Sequence, residues 1–146
     1  MAEVLKLKCS LCGQEYGPTE VQYTCPACGQ VGTLDVLYDY EALRASLDRD
    51  AIERSSLRSM WRYKALLPVS HDAVEPPLRV GGTPLFHSPR LTADLGVRGA
   101  WVKDDGQNPT GSLKDRASAM IVTRALEQGI TTVSTASTGN AAAALS

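Results

Sequence analysis

One stretch decides how this chain folds: Asn108-Pro-Thr-Gly-Ser-Leu-Lys-Asp-Arg116. It opens with residues that form turns and then passes into apolar residues at helical spacing. Ser112 and Asp115 fit a capping box in which Ser112 is the N-cap. Gly129 is placed to end the helix. The pattern therefore predicts a helix that begins directly after Ser112, with Lys114 in its first turn.

Strand-like and helix-like runs alternate on both sides of this stretch. Residues 99–103 predict a strand before it, and the Thr/Val-rich residues 130–136 predict a strand after it. A second turn, Ser137-Thr-Gly-Asn140, precedes an alanine-rich helix. The alternation from Gly81 onward is typical of an α/β domain. Because so few strands cannot complete such a sheet, we expect the sequence, which stops at Ser146, to be the front of a longer protein.

The two turns have the composition of a ligand site. The positive end of a helix dipole disfavours an ammonium at Lys114, which is the condition that a Schiff-base nucleophile needs. The turn at residues 137–140 offers hydroxyls and backbone amides to an anionic carboxylate. Since parallel strands end at one edge of a sheet, we expect both turns to face one cleft. Taken alone, Lys114 could be a solvated side chain, and Ser137, Thr138 or Asn140 could simply cap a helix.

Four cysteines form a second pattern, C-x2-C, twelve residues, then C-x2-C. At this spacing, paired thiols in a reducing compartment are more often metal ligands than disulfides, which are the alternative. Four thiolates suit tetrahedral zinc, although iron could occupy the same sulfurs. Because protein fills all four positions, the metal would be structural. The predicted ligands are Cys9, Cys12, Cys25 and Cys28.

Composition excludes several classes of function. The chain is 43% hydrophobic and 21% charged, with a net charge of −1 and a mean hydropathy of −0.15. Such a neutral chain has no general attraction for nucleic acid or anionic membranes. Residues 1–35 hold two lysines against four carboxylates, which disfavours nucleic-acid binding by the cysteine segment. The first residues lack the apolar region of a secretory signal. We therefore predict a cytoplasmic protein without nucleic-acid or membrane partners.

Three regions differ in composition. Residues 1–35 contain all the cysteines and few aliphatic side chains, so this zinc-ribbon-like segment needs a metal to fold. Residues 36–78 form a helical connector that ends in prolines. Residues 79–146 begin an α/β domain. The fold class expected from the residues is therefore α/β, preceded by a small metal-binding module.

The two turns resemble motifs of a known family. The lysine stretch and Ala136-Ser-Thr-Gly-Asn-Ala-Ala-Ala143 resemble the cofactor-lysine and asparagine-loop motifs of fold-type II pyridoxal-phosphate enzymes, specifically the threonine synthases. Trp61-Arg-Tyr-Lys-Ala-Leu-Leu-Pro-Val69 and Gly81-Gly-Thr-Pro-Leu85 resemble the entry to that catalytic fold. An N-terminal C-x2-C-G pair occurs in many members. The resemblance implies a doubly wound sheet like that of the tryptophan synthase β chain, here truncated, behind a zinc ribbon.

The resemblance also implies roles for single residues. Lys114 would bind pyridoxal 5'-phosphate through a Schiff base and move protons on the substrate. Asn140 would donate a hydrogen bond to the 3-oxygen of the cofactor. The substrate would be held by Ser112, Ser137, Thr138 and Gly139.

The implied reaction converts O-phospho-L-homoserine and water to L-threonine and phosphate, as a lyase step of threonine biosynthesis. A threonine dehydratase or a cysteate synthase of the same fold is the alternative. A non-catalytic zinc-ribbon protein that binds a partner is the alternative from another class. The expected partner is a small amino acid, and assembly into a homo-oligomer stays open.

Two departures from the family pattern stand out. Asp105 occupies a position where glutamate is expected in many relatives. The family's Gly-rich loop for the cofactor phosphate belongs to a later part of the fold. We therefore expect the 146 residues to be inactive by themselves.

Overall fold

The computed structural model describes residues 4–146 and separates into two compact units. The first comprises the described residues up to Glu53 and Tyr63–His71, and the second comprises Arg54–Arg62 and Asp72–Ser146. Residues of the expected connector, 36–78, thus occur in both units. The three-part division of the sequence stays a prediction. Within the described residues, no helix is both long and apolar enough to cross a membrane.

A three-stranded antiparallel sheet forms the frame of the first unit. Its central strand, β1, pairs with β2 and β3 on either side, in the order β2-β1-β3. The register places Leu7 opposite Tyr16 and Cys9 opposite Leu34. The strands are β1 (Val4–Cys9), β2 (Glu15–Tyr16) and β3 (Leu34–Tyr38).

The buried cluster on this sheet consists of thiols and one tyrosine. Cys9, Tyr16 and Cys25 are the buried members, and partly buried side chains pack against them. A core of this size supplies little apolar burial to offset the entropy of ordering the chain. The stability of the first unit therefore depends on the interactions that hold the cysteines together. The partly buried side chains are Leu7, Val21, Cys28 and Leu34.

Short helices follow the sheet, as the connector sequence predicts. Helix α1 (Tyr40–Ser46) begins where the Asp39 carboxylate accepts from the Ala42 N–H at 2.9 Å, and it buries Leu43. Helix α2 spans Arg49–Arg54. A 3-10 helix over Met60–Leu66 is interrupted at Tyr63, where φ is −104° and ψ is 19°.

The second unit combines a strand pair with three α-helices and a short 3-10 helix at Asp105–Gln107. Strands β4 (Leu85–His87) and β5 (Trp101–Lys103) pair antiparallel, and helix α3 (Pro89–Leu95) lies between them in sequence. Helices α4 (Lys114–Glu127) and α5 (Asn140–Leu145) contact each other. The helix predicted after Ser112 is confirmed as α4, and the strand predicted at 99–103 is confirmed as β5.

The prediction of a strand at residues 130–136 is wrong. This segment is exposed and forms neither helix nor strand. A strand exists only when a neighbouring strand shares its backbone hydrogen bonds, and no strand pairs with this segment in residues 4–146. The same reason limits the expected doubly wound sheet, since the described strands pair only antiparallel.

Two glycines allow a close crossing inside the second unit. The Met60 N–H donates to the Val80 carbonyl at 2.7 Å, which brings residues 58–60 against the Gly81-Gly82 turn. A Cβ on Gly82 would lie 2.2 Å from the Arg58 carbonyl oxygen, and the φ of Gly82 is +63°. A Cβ on Gly81 would lie 2.9 Å from the Met60 nitrogen. Only glycine fits this turn, because both the conformation and the space exclude a side chain.

We predict that Gly82→Ala destabilises the second unit more than Gly96→Ala does. Both positions have φ near +60°, but a Cβ at Gly96 meets nothing within 4 Å. Gly96→Ala should cost about 1–2 kcal/mol from backbone conformation alone, and Gly82→Ala should cost that amount plus the clash. Urea unfolding followed by tryptophan fluorescence measures both, since Trp61 and Trp101 lie in this unit. Equal midpoints for the two variants would contradict the close crossing.

Candidate functional site

The four cysteines converge, as their spacing predicts. Their sulfurs all lie within 4.8 Å of one another. The Cys9 and Cys28 sulfurs are 3.9 Å apart, and those of Cys12 and Cys25 are 3.7 Å apart. Four sulfurs bonded to one tetrahedral zinc stand about 3.8 Å apart, given Zn–S bonds of about 2.3 Å. A disulfide needs about 2.05 Å, so the four thiols are free and arranged to hold a metal ion.

Two equivalent backbone turns build this cluster. The Gly13 N–H donates to the Cys9 carbonyl at 3.0 Å, and the Gly29 N–H donates to the Cys25 carbonyl at 2.8 Å. Both glycines have positive φ, +75° and +67°. The glycine after each C-x2-C pair thus lets the chain turn tightly around its two sulfurs, as predicted.

The thiols of the cluster differ in pKa. The Tyr16 hydroxyl is the main reason that the pKa of Cys25 falls to about 6. The hydrogen bond between Cys28 and Cys12 is the main reason that the pKa of Cys28 rises to about 12. Thiols this close oppose one another's ionisation, and a bound cation removes that opposition. The donor set and its charge therefore fit a thiophilic divalent metal.

The lysine stretch places Lys114 at the first residue of α4. The backbone N–H of Lys114 donates to the Ser112 hydroxyl at 3.2 Å, and Ser112 is buried while the Lys114 side chain is exposed. Ser112 thus satisfies one of the free donors at the helix start, although the helix itself follows Leu113. The turn presents a lysine amine to solvent from a fixed backbone.

Asp115 does not complete the predicted capping box. Its buried carboxylate accepts instead from the backbone N–H of Thr110, at 2.9 Å, and from the Thr110 hydroxyl. This part of the prediction is wrong because the preceding loop offers two donors closer than the helix start. The arrangement closes the turn between Thr110 and Asp115. It also engages both oxygens of the carboxylate next to Lys114, and no ion pair in residues 4–146 includes that lysine.

A bidentate ion pair anchors the lysine turn. The Arg116 guanidinium donates to the two oxygens of Asp105 at 2.6 and 2.8 Å, and the Thr83 hydroxyl donates to the same carboxylate at 2.8 Å. Arg116 is the main reason that the pKa of Asp105 falls to about 2, and Asp105 in turn raises the pKa of Arg116. The sequence marked Asp105 only as a departure from the family pattern and did not predict the roles of Thr83 and Arg116. The position of Arg116, two residues after the lysine, was the available signal.

Asn108 connects the same turn to the glycine pair. Its side-chain oxygen accepts from the Gly81 N–H at 2.9 Å, 27 residues away in the sequence. Its side-chain nitrogen donates to the Asp105 carbonyl at 3.1 Å, and the residue is 5% exposed. The glycine motif and the lysine motif are therefore parts of one hydrogen-bonded network. We call Gly81, Thr83, Asp105, Asn108 and Arg116 the anchor network.

The asparagine turn is simpler. The Gly139 N–H donates to the Ser137 hydroxyl at 3.2 Å, while Thr138 and Asn140 are exposed. Gly139 is the N-cap of α5 and no side chain caps this helix, so Asn140 does not have the capping role that the alternative gave it. Throughout residues 4–146, no hydrogen bond joins this turn to the lysine turn. Whether the two share a cleft stays a prediction.

We predict that Asp105 makes the free energy of unfolding of the second unit decrease at acidic pH. The pKa of Asp105 is about 2 in the folded chain and about 3.9 in an unfolded one, so its stabilisation is present above pH 4 and is lost as the pH falls toward 2. Asp105→Asn should cost about 1–2 kcal/mol at neutral pH and less as the pH falls. Chemical unfolding at pH 7, 4 and 2.5 measures this difference. Asp94→Asn is the control, because Asp94 makes a surface ion pair at 3.8 Å; a cost for Asp105→Asn that is the same at every pH would contradict the account.

Residues 77–146 match the family model described as pyridoxal-phosphate dependent enzyme. This segment includes the lysine turn, the asparagine turn and the entire anchor network. No solved structure matches the chain.

Curated relatives extend the similarity to nearly the whole chain. The chain is 45% identical over 139 residues, 95% of its length, to the threonine synthase of Methanosarcina acetivorans. It is 41% identical over 138 residues, 94% of its length, to the threonine synthase of Methanocaldococcus jannaschii. These matches cover 33% of each relative, so the chain spans about a third of their length. The threonine synthase of Mycobacterium leprae is 47% identical over 81 residues, which are 56% of this chain and 22% of that protein.

The lysine and asparagine motifs, the family match and the relatives agree on one assignment. The fold-type II resemblance noted in the sequence is thereby confirmed at the level of the family. Residues 77–146 thus match the pyridoxal-phosphate-dependent enzymes, and the chain is similar to threonine synthases over 95% of its length.

Proposed function

We propose that this chain is part of a pyridoxal-phosphate-dependent lyase that converts O-phospho-L-homoserine and water to L-threonine and phosphate. One observation supports this proposal above all: an exposed Lys114 at the first residue of α4, inside the segment that matches the family. The threonine synthase relatives, similar over 94–95% of the chain, favour this member of the family. The cytoplasm stays the predicted location.

The surroundings of Lys114 fit the cofactor. The amine is exposed, the carboxylate of Asp115 is bound to Thr110, and Ser112 holds the lysine backbone. An amine without a carboxylate partner is available to bind the aldehyde of pyridoxal phosphate. When bound, this cofactor supplies an electron sink for charge that develops on the substrate carbons.

The remaining roles belong to side chains and amides of the two turns. Lys114 would transfer protons to and from the substrate carbons, and its fixed backbone keeps the amine near them. The Asn140 side chain, which is not spent on capping, would donate to the 3-oxygen of the cofactor. The Gly139 N–H would exchange its bond with Ser137 for one with the substrate carboxylate. The hydroxyls of Ser112 and Thr138 would form hydrogen bonds with the same substrate.

We also propose that the four cysteines bind one structural zinc ion. The sulfur separations of 3.7 and 3.9 Å match a tetrahedral zinc, and the small core of the first unit leaves room for the metal to supply folding energy. Because the ligands fill four positions, the ion would have no open site for substrate.

Lys114 should be the residue modified by cofactor and reductant. A protein that contains residues 1–146 and is as long as the curated relatives is incubated with pyridoxal phosphate and borohydride, and its peptides are mapped. We expect the label on Lys114 and its loss in Lys114→Ala. Lys103 is the internal control, since its ammonium donates to the Thr83 carbonyl. Label on Lys103 and none on Lys114 would refute the assignment, and no label on any lysine would favour a non-catalytic binding protein.

Purified protein should contain one zinc per chain. Elemental analysis of protein prepared without added metal measures the content. Cys25→Ser should lower it sharply and unfold the first unit, because three thiolates bind more weakly than four. Leu11→Ala lies between two ligands but is 61% exposed, so its metal content should stay unchanged. A folded, metal-free first unit with four free thiols would contradict the proposal.

The substrate separates the synthase from its relatives of the same fold. The same long protein is given O-phospho-L-homoserine or L-threonine, and phosphate and keto acid are assayed. The proposal predicts release of phosphate with formation of threonine. Rapid deamination of threonine with no phosphate from O-phospho-L-homoserine would identify a threonine dehydratase, while Lys114 would keep its role. Inertness toward both, with label on Lys114, would favour a cysteate synthase.

A further inference from the structure

A tyrosine contacts the cysteine cluster from the sheet. The Tyr16 hydroxyl lies 3.0 Å from the Cys25 sulfur, which is within hydrogen-bond range for a sulfur partner. Tyr16 is 6% exposed and Cys25 is fully buried, so water does not compete for this contact. The hydroxyl of this buried tyrosine thus forms its hydrogen bond with one cysteine sulfur.

The direction of this bond follows from the proposed metal. A cysteine that binds a metal is a thiolate and has no proton to donate. The Tyr16 hydroxyl must then be the donor and the Cys25 sulfur the acceptor. A donor to a charged sulfur forms a stronger bond than a neutral pair does.

Tyr16 also distinguishes the two C-x2-C turns. The backbone N–H groups of Ala27 and Cys28 lower the pKa of Cys25, and those of Leu11 and Cys12 lower the pKa of Cys9. These backbone donors repeat from one turn to the other. The tyrosine hydroxyl is the additional donor at Cys25.

The sheet fixes where this donor lies. Tyr16 is in β2, opposite Leu7 of β1, and β1 ends at the ligand Cys9. The strand pairing therefore sets the tyrosine ring relative to the cysteine turns. Outer hydrogen bonds of this kind hold ligands in place, and their loss typically weakens metal binding about 10–100-fold.

We propose that Tyr16 is a positioning residue of the cysteine metal site, whose hydroxyl donates to the Cys25 thiolate and tightens the binding of a divalent metal. This inference rests on the proposed metal site. The hydrogen bond draws negative charge away from the sulfur, so it also lowers the energy of the sulfur electrons that are excited into a bound Co²⁺ ion. The role therefore has an optical signature that packing alone does not produce.

The test compares Tyr16→Phe with the wild-type chain, using Co²⁺ as the probe. Phenylalanine keeps the buried ring and removes only the hydroxyl. Tyr23→Phe is the matched control, since Tyr23 precedes Cys25 by two residues but is 82% exposed. Co²⁺ affinity is measured by competition with a chelator, and the sulfur-to-cobalt charge-transfer band is recorded at saturation.

We expect Tyr16→Phe to weaken Co²⁺ binding about tenfold and to move the charge-transfer band to longer wavelength, with Tyr23→Phe unchanged in both. Unchanged affinity and band in Tyr16→Phe would overturn the inference. Weaker binding with an unmoved band would also overturn it, because the tyrosine would then act only through folding. Failure of the wild-type chain to give a tetrahedral thiolate spectrum would instead refute the metal site itself.

Discussion

The bidentate ion pair between Asp105 and Arg116 is the interaction on which the second unit depends. It is 2.6–2.8 Å long, it recruits the Thr83 hydroxyl, and it fixes the start of α4 against the loop that precedes it. Arg and carboxylate meet here in the planar geometry that makes such pairs specific. Asn108 extends the network to Gly81, whose turn lies against residues 58–60. The position of Lys114 thus follows largely from contacts that the lysine side chain does not make.

The first unit has a different basis. Its sheet is small, and the buried cluster on it is made of Cys9, Tyr16 and Cys25 instead of large aliphatic side chains. Hydrogen bonds between the strands set the register, and the cysteine turns repeat one backbone geometry on either side of the cluster. A segment built this way has little apolar burial, and the proposed metal would supply much of its stability. The two units therefore combine two strategies, an ion-pair network and a thiol cluster.

The sequence predicted what local patterns determine. The helix after Ser112, the role of Gly129 at its end and the convergence of the cysteines all follow from signals within a few residues. The prediction from sequence failed where an element's hydrogen-bond partners are distant in the sequence or absent from residues 4–146. The strand expected at residues 130–136 needs neighbouring strands, and the contact between Thr83 and Asp105 joins residues 22 apart that share no motif. The Asp115 carboxylate was misassigned because two donors on the preceding loop compete with the helix start.

Amide hydrogen exchange in Thr83→Val tests the central claim, that the anchor network holds the lysine turn. The substitution keeps the side-chain shape and removes the hydroxyl that binds Asp105. The account predicts faster exchange at the Thr110 and Lys114 amides, which donate to Asp115 and Ser112, with no change at the Ala143 amide of α5, which donates to Gly139. Unchanged exchange at both Thr110 and Lys114 would show that the turn is held without the network and would contradict the account.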